Sequence, residues 1–540
     1  NKEGCYDTDY DGRASITHHA VILDVNNDGC QDVVWMDEGV GNWFVPRGNV
    51  QIWLHDGPAP CDQAMDGRTE VTFTNMPVEG RLNGPNDIPD EIGLPPKNQA
   101  SMGAAWGDIN CDGNLDFLYS DAGRSIANIL NNEMVFPPRI LGDIPAAVNT
   151  QWVLGNGDGT FTDPFPPNTE NLWSSPFGWG VAMYDYDLDG DLDMLTHGGL
   201  GQRSTAVLDN PGFIWVNQGC NSENETANGY RGPKFTVDRS TYPQDLTCVD
   251  ENGDLLSEHC TPHVRREVRS VAIGDLNNDG RMDIVTTSGT TYSAENFTAL
   301  YPGFVGEAGV ATGGFPGVWN SGIPDIFDNT SFYARTWELG PNGYNFLHFP
   351  DPGDLYVEIE DGTNDNNFVK FEVRGSKNIL CDGKVNRNGI GALLTFKANG
   401  LDPVLQVVTG GDSNIAAIPT ARIFGLRKKN KGDLTIQFPG GLWNAFYKAR
   451  KNTHYILYEI PCNYKDLSYT WWEFRRCVNK ATKELRQQGL IDWKIRLKMR
   501  QSNKWAYCEY RTSCYSQEVQ EDEDMWNLSD PEADDEEDED

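Results

Sequence analysis

Residues 185–193 read DYDLDGDLD, and three related stretches of nine residues occur in the same part of the chain. These are DVNNDGCQD at 24–32, DINCDGNLD at 108–116 and DLNNDGRMD at 275–283. Each has an oxygen-bearing side chain at positions 1, 3 and 5, a glycine at position 6 and an aspartate at position 9. Calcium binds about six to eight oxygen atoms, and the glycine permits the sharp turn that points alternate residues inward. The spacing therefore predicts four calcium-binding loops, numbered 1 to 4 in chain order.

The expected ligands are the side chains at positions 1, 3, 5 and 9 and the backbone carbonyl at position 7. The loops end at position 9 and continue into apolar runs such as DMLT, which are typical of β-strands. An EF-hand differs, because its longer loop ends in a glutamate and lies between helices. We predict about four structural ions, held in loop 1 by Asp24, Asn26, Asp28, Cys30 and Asp32, in loop 2 by Asp108, Asn110, Asp112, Asn114 and Asp116, in loop 3 by Asp185, Asp187, Asp189, Asp191 and Asp193, and in loop 4 by Asp275, Asn277, Asp279, Arg281 and Asp283.

An alternative without metal is a set of hairpin turns, because asparagine, aspartate and glycine favour turns in any context. The aspartate at position 9 argues against this alternative. A turn does not need a carboxylate three residues beyond its glycine, and all four copies keep one. The pattern therefore favours calcium.

Each loop belongs to a longer repeat. Small or apolar residues precede it, as in GAAWGD and GWGVAMYD, and a second strand and an outer hairpin such as WVLGNGDGTFTD follow. Recurrence at long period indicates a solenoid or propeller, in which small sheets bury one another. The repeats resemble the FG-GAP repeats of the integrin α-chain propeller. AAWGDINCDGNLDFLY at 104–119 and FGWGVAMYDYDLDGDLDML at 177–195 resemble most closely those of the cartilage acidic protein family.

A second stretch carries the same resemblance. NRNGIGA at 386–392, VVTGG at 407–411, FGL at 424–426 and DLTIQFPGG at 433–441 resemble the ASPIC/UnbV domain that follows the propeller in that family. The resemblance implies a mainly β chain with an FG-GAP β-propeller over residues 1–345 and a small ASPIC/UnbV-like β domain over 346–441. Only four repeats are recognisable, so seven blades of the integrin type are implied by the resemblance alone. FGL also departs from the family pattern, because Arg427 and several lysines follow it.

In the last hundred residues the sign of the local net charge changes twice. Residues 442–514 contain 15 Lys and Arg against 6 Asp and Glu, although the whole chain has a net charge of -37. This reversal predicts a basic, disulfide-bonded α+β module over 442–516. Residues 518–540 then contain 14 acidic residues and no basic ones, which predicts a disordered acidic tail over 517–540. Three uses remain open for the tail: covering the basic module, collecting calcium weakly, or keeping the protein soluble.

Within the basic module, residues from Trp472 have helical spacing and end before Gly489. The following IDWKIRLKMR alternates apolar and charged residues, which predicts a β-strand with a row of four cations on one face. That row, Lys494, Arg496, Lys498 and Arg500, is a candidate polyanion-binding site for a sulfated glycan or for the acidic tail. The alternative is a solvated edge strand that its charges protect from aggregation.

Cysteine usage indicates an oxidising compartment. The chain has 12 cysteines and no CxxC spacing, and the pairs closest in sequence are Cys248 with Cys260, Cys462 with Cys477, and Cys508 with Cys514. Cys30 and Cys111 lie inside calcium loops, where a thiol is a poor ligand, so disulfides are expected there. Glycosylation is predicted at the sequons of Asn224, Asn296, Asn329 and Asn527.

The resemblance implies a secreted, calcium-stabilised glycoprotein that acts as a binding or adhesion protein of the extracellular matrix or cell surface. Its partners would be extracellular proteins or glycans, sulfated glycans included, with no nucleic acid and no membrane span. No catalytic constellation is recognisable, so no enzyme activity is expected. Two alternatives remain open. One is a propeller-containing enzyme acting on glycans or phospholipids, with tryptophans that stack on sugars, and the other is an acidic protein associated with mineral.

Overall fold

The computed structural model describes residues 16–38, 50–55, 73–75, 101–121, 151–162, 179–199, 209–220, 233, 235–238, 263–293, 355–360, 364–410 and 416–511. In these ranges the chain is mainly β, as predicted, with five sheets and two helices. No described helix has both the length and the apolar character needed to span a bilayer.

The four acidic loops each connect two antiparallel strands, which confirms that they are loops between strands. The strands of repeats 1 and 2 are β1 (Ile16–Leu23), β2 (Asp32–Glu38), β3 (Val50–His55), β4 (Phe73–Asn75), β5 (Ser101–Gly107), β6 (Asp116–Asp121), β7 (Gln151–Gly155) and β8 (Phe161–Thr162). Those of repeats 3 and 4 are β9 (Gly180–Tyr184), β10 (Asp193–Gly199), β11 (Asp209–Asn217), β12 (Phe235–Asp238), β13 (His263–Gly274), β14 (Asp283–Ser293) and β15 (Leu355–Glu358).

The strand register is the same around every loop. In each repeat the residue before position 1 pairs with the aspartate at position 9, in the pairs Leu23 with Asp32, Gly107 with Asp116, Tyr184 with Asp193, and Gly274 with Asp283. A third strand, β3, β7, β11 or β15, then pairs with the strand that follows the loop. The four repeats are therefore built on one plan.

Neighbouring repeats bury their apolar faces against each other. One core joins Val34 of repeat 1 to Phe117 of repeat 2, a second joins Trp152 of repeat 2 to Met194 of repeat 3, and a third joins Leu195 of repeat 3 to Ile273 of repeat 4. None of the described sheets closes into a ring. The repeats thus pack consecutively, and a seven-bladed propeller stays a prediction.

The C-terminal region follows the repeats. Its elements are β16 (Asn367–Arg374), β17 (Leu393–Ala398), β18 (Val404–Val407), β19 (Ala416–Ala417), β20 (Arg422–Arg427), β21 (Lys431–Phe438), β22 (Leu442–Arg450), β23 (Thr453–Tyr458), α1 (Trp471–Gln487) and α2 (Trp493–Arg511). β21 and β22 form an antiparallel hairpin, and one core contains Phe396, Phe446 and Phe474. The predicted division between residues 441 and 442 falls in this hairpin, and the strands and both helices share a core across it.

The helix predicted from Trp472 is confirmed as α1. Thr470 and Glu473 form a capping box at its start, and Gly489 has a positive φ of 74° just beyond its end. The strand predicted over IDWKIRLKMR is wrong, because this segment begins α2. The Asp492 carboxylate accepts a hydrogen bond from the backbone N–H of Ile495 at 2.7 Å, which caps the helix. Its lysines, arginines, leucine and methionine are also good helix formers.

Two complete disulfides lie in the described ranges. Cys462 pairs with Cys477, as predicted, and Cys111 of loop 2 pairs with Cys220, which follows β11 of repeat 3. Cys30 is also disulfide-bonded. The predicted pair of Cys248 with Cys260, the residue Cys514, all four sequons and the acidic tail lie outside the described residues.

Candidate metal centres

The four loops have the same backbone shape. The residue at position 4 has a positive φ in each, at 58° in Asn27, 59° in Cys111, 59° in Leu188 and 61° in Asn278. The glycine at position 6 has a positive φ of between 87° and 93° in all four. Residues other than glycine rarely adopt such angles, and a leucine or cysteine seldom does. Each loop therefore has the tight fold that its glycine predicted.

The aspartate at position 9 links three parts of its repeat. One carboxylate oxygen accepts the backbone N–H of position 2 at 2.6–2.9 Å, in Val25, Ile109, Tyr186 and Leu276. The other accepts an N–H at or just beyond the end of the third strand at 2.7–2.9 Å, in His55, Gly155, Asn217 and Glu360. Sequence reasoning missed this role, and it gives the closing aspartate a structural use that requires no metal. The argument from position 9 against simple turns is therefore weakened.

The aspartate at position 1 holds the turn in loops 1 to 3. Its two oxygens accept the backbone N–H groups of positions 5 and 6, at 3.1 and 2.7 Å for Asp24, 2.9 and 2.9 Å for Asp108, and 3.1 and 3.1 Å for Asp185. These three carboxylates are buried. The Oδ1 atom of each accepts a single N–H among these bonds and keeps a lone pair, so it can bind a cation without losing them.

Loop 3 brings the most carboxylates together. Ligand oxygens of Asp185, Asp187 and Asp193 lie within 4.8 Å of one another, and in the described residues this is the only such group of acidic, histidine or cysteine side chains. The side chain of Asp191 at position 7 is only 1 % exposed, and neither of its oxygens accepts a hydrogen bond from the described residues. An ionised buried carboxylate without donors is costly, so this residue favours a cation as its ligand. The residues of loop 3 fit calcium.

The electrostatics of loops 1 to 3 agree with this interpretation. Burial, and to a smaller extent a neighbouring carboxylate, raises the pKa of Asp24 to about 7 and that of Asp108 to about 7. Burial also raises the pKa values of Asp116, Asp185 and Asp193 well above the usual range. Burial and then Asp189 raise the pKa values of Asp187 and Asp191. A divalent cation would reverse these shifts, because it stabilises the ionised carboxylates.

Loop 4 differs at one side chain. Its backbone bends as in the other loops, but Asp275 at position 1 forms an ion pair with Lys370 on β16, with Nζ 2.9 Å from Oδ2. The Asp275 Oδ1 atom is buried and accepts no hydrogen bond from the described residues. At position 7, Arg281 donates to the backbone oxygen of Asn364 at 2.5 Å. Loop 4 therefore has two cationic side chains, those of Lys370 and Arg281, beside its three carboxylates.

Residues of the C-terminal region contact all four loops, which sequence reasoning did not predict. In loop 1, Gln437 Nε2 donates a hydrogen bond to Asp24 Oδ2 at 3.2 Å. In loop 2, the N–H of Asp108 donates to the carbonyl oxygen of Leu405 at 3.0 Å. In loop 3, the N–H of Gly425 donates to Asp185 Oδ2 at 2.7 Å.

Loop 3 also has a cation of its own. The guanidinium of Arg427 lies 3.0 Å from Asp189 Oδ2, and its side chain is half exposed. The FGL segment that precedes Arg427 thus lies directly on loop 3.

The predicted row of cations does not form. On α2, Lys494 and Lys498 are separated from Arg496 and Arg500 around the helix axis, because residues two apart point to different sides. The ammonium of Lys498 lies 5.1 Å from the ring centre of Phe446 and contacts the backbone oxygen of Lys448. The Nε atoms of Arg496 and Arg500 are buried. A single polyanion-binding face built from these four side chains is therefore wrong.

Comparison with protein-family models and with curated protein sequences finds no match. The resemblance of the repeats to FG-GAP units therefore stays a prediction from their residues.

Proposed function

We propose that this chain is a secreted calcium-binding repeat protein whose ions are structural, and that it acts as a binding or adhesion protein of the extracellular matrix or cell surface. The observation that carries the proposal is loop 3. Five aspartates lie within nine residues there, ligand oxygens of three of them lie within 4.8 Å of one another, and the buried Asp191 carboxylate accepts no hydrogen bond from the described residues. In those residues the one cationic side chain paired with this loop is that of Arg427, on Asp189, so the protein offsets only part of the charge.

Calcium would supply the cation that loops 1 to 3 require. Side-chain oxygens at positions 1, 3, 5 and 9 would hold it, with Asp191 as an additional carboxylate in loop 3. Calcium fits this set better than a transition metal does, because all the donors are hard oxygen atoms. Binding would join the loop to its strands and remove the repulsion among buried carboxylates.

A propeller of FG-GAP blades is the proposed arrangement of the repeats. Its support is the common register of the four repeats and the shared cores of repeats 1 with 2, 2 with 3, and 3 with 4. Secretion is supported by the disulfides at Cys111 with Cys220 and Cys462 with Cys477, because such bonds persist outside the cytosol.

Sulfated glycans are proposed partners of the basic region. The support now comes from α1, where Arg476, Lys480 and Lys483 are exposed and recur with the spacing of one helix face. Replacing all three by glutamine should lower the salt concentration that elutes the protein from a column of sulfated polysaccharide. Glutamine at Lys428, Lys429 and Lys431, which are also exposed, is the matched control. Equal elution of both variants would contradict this assignment.

Calcium binding is tested by native mass spectrometry and thermal unfolding of the whole chain, each with millimolar calcium and with EDTA. We expect several retained ions and a Tm that rises by roughly 10 °C or more, because a ligand bound only to the folded state stabilises it. No retained ion and no change in Tm would overturn the proposal.

A further inference from the structure

We propose that loop 4 does not bind calcium, because the ammonium group of Lys370 already occupies the cation position at Asp275. The inference rests on the proposed function of loops 1 to 3 and goes beyond it, since the sequence alone gives loop 4 the same ligand pattern as the others.

The backbone does not distinguish loop 4 from the other loops. Asn278 and Gly280 have positive φ values of 61° and 87°, which match positions 4 and 6 elsewhere. Asn277 and Asp279 make the same local bonds as their counterparts, with Asn277 Oδ1 accepting the N–H of Asp279 at 3.0 Å and Asp279 Oδ1 accepting that of Arg281 at 2.8 Å. The closing Asp283 also makes both of its usual bonds. Among the side-chain ligands of positions 1, 3, 5 and 9, the difference is therefore confined to position 1.

The aspartate at position 1 of loop 4, Asp275, accepts a hydrogen bond from a lysine. In loops 1 to 3 the position 1 carboxylate accepts the N–H groups of positions 5 and 6, whereas the hydrogen bond of Asp275 in the described residues is to Lys370. The Asp275 side chain is 4 % exposed and that of Lys370 is 16 % exposed, so water screens the pair weakly. Removing one partner of such a pair leaves a buried charge, which costs much more than breaking a surface pair.

The neighbouring contacts fix the lysine in place. Val369 and Phe371 on β16 are fully buried in the C-terminal core, so the alternate residues Phe368 and Lys370 face the repeats. The ring of Phe368 covers the loop, because a side chain at Gly280 would lie 2.0 Å from it. The core on one face and Phe368 on the other therefore hold the strand from which Lys370 reaches Asp275.

A second cation lowers the attraction of loop 4 for calcium further. Arg281 stands at position 7, where loop 3 has an aspartate, and its guanidinium is held by Asn364. Arg427 at loop 3 is not equivalent to Lys370. It pairs with the position 5 carboxylate at the surface and leaves Asp185, Asp187 and Asp193 together.

The test counts calcium ions bound to the full chain by native mass spectrometry in calcium-containing buffer, as differences between variants. Lys370→Met removes the ammonium and should add one ion relative to the unchanged chain. Lys397→Met, an exposed lysine on β17, is the matched control and should add none. Unchanged ion counts for a folded Lys370→Met chain, or an added ion in the control, would overturn the inference.

A second pair of variants decides the matter if Lys370→Met fails to fold. Asp275→Asn should leave the ion count unchanged, whereas Asp108→Asn in loop 2 should lower it by one. Loss of an ion from Asp275→Asn would show that loop 4 binds calcium beside Lys370 and would overturn the inference. If none of the chains retains calcium, the proposed function itself fails, which is a distinct outcome.

Discussion

Loops 3 and 4 share one backbone fold but differ in how their negative charge is balanced. Loop 3 has five aspartates, and the buried carboxylate of Asp191 accepts no hydrogen bond from the described residues, so we propose that a metal ion balances its charge. In loop 4 the position 1 aspartate is paired with Lys370, and an arginine replaces the aspartate of position 7. The nine-residue motif therefore fixes the shape of a loop, and a residue distant in sequence, Lys370, gives one of the two loops a cation from the protein itself.

The largest expected effect is on the free energy of unfolding, and it distinguishes loop 3 from loop 4 when the aspartate at position 9 is replaced. Asp193→Ala removes two buried backbone hydrogen bonds and a proposed calcium ligand, so in calcium it should lower the free energy of unfolding by about 3–5 kcal/mol. Asp283→Ala removes only the two hydrogen bonds and should cost about 1–3 kcal/mol. Urea unfolding of both variants measures the difference. In EDTA the two losses should become similar, and a gap that persists without calcium would contradict the account.

A second effect concerns pH. In the calcium-free folded chain burial raises the pKa values of Asp24 and Asp108 to about 7, from a usual value near 3.8. The folded state therefore binds these protons more tightly than the unfolded chain does. The resulting stability is fully present below about pH 3.8 and is lost as the pH rises through about 7.

The measurement is the Tm at several pH values between about 5 and 8, in EDTA and in calcium. The EDTA values should fall with rising pH, by an amount equivalent to about 1.4 kcal/mol per pKa unit and group. The calcium values should fall less, because the bound ion stabilises the ionised carboxylates. A stabilisation by calcium that shrinks from pH 5 to pH 8 would be inconsistent with carboxylate ligands.

The smallest expected effect concerns Arg427 at loop 3. Because its side chain is half exposed, its pair with Asp189 is screened by water and contributes about 0.2–1 kcal/mol. Arg427→Gln should therefore raise the calcium affinity of loop 3 by about 1.4- to fivefold, measured by titration against a competing chelator. Lys428→Gln, at the next exposed position, should leave the affinity unchanged. A lower affinity in Arg427→Gln would mean that the arginine supports the site.

The parts of this molecule that local sequence determines could be predicted. The loops lie between strands, and α1 begins at a capping box and ends before Gly489, because short patterns set turns and helix ends. The helix α2 was missed, since its apolar and charged residues also alternate with the period of a strand.

The contacts that distinguish the loops could not be predicted, because they join distant residues. Glu360 donates to Asp283 across 77 positions, and Lys370 reaches Asp275 across 95. In NFVKFEVR, Lys370 alternates with buried residues and so reads as an ordinary solvent-facing lysine of a strand. Only the packing of β16 against the repeats reveals that this face is occupied.

The most direct test of the account is X-ray diffraction from crystals of the whole chain grown in calcium, with anomalous data collected at long wavelength. The account predicts calcium peaks in loops 1, 2 and 3, each surrounded by the aspartates of positions 1, 5 and 9. It also predicts no such peak in loop 4, where Lys370 Nζ should remain on Asp275. Loops 1 to 3 without calcium, or an ion in loop 4 with Lys370 displaced, would contradict it.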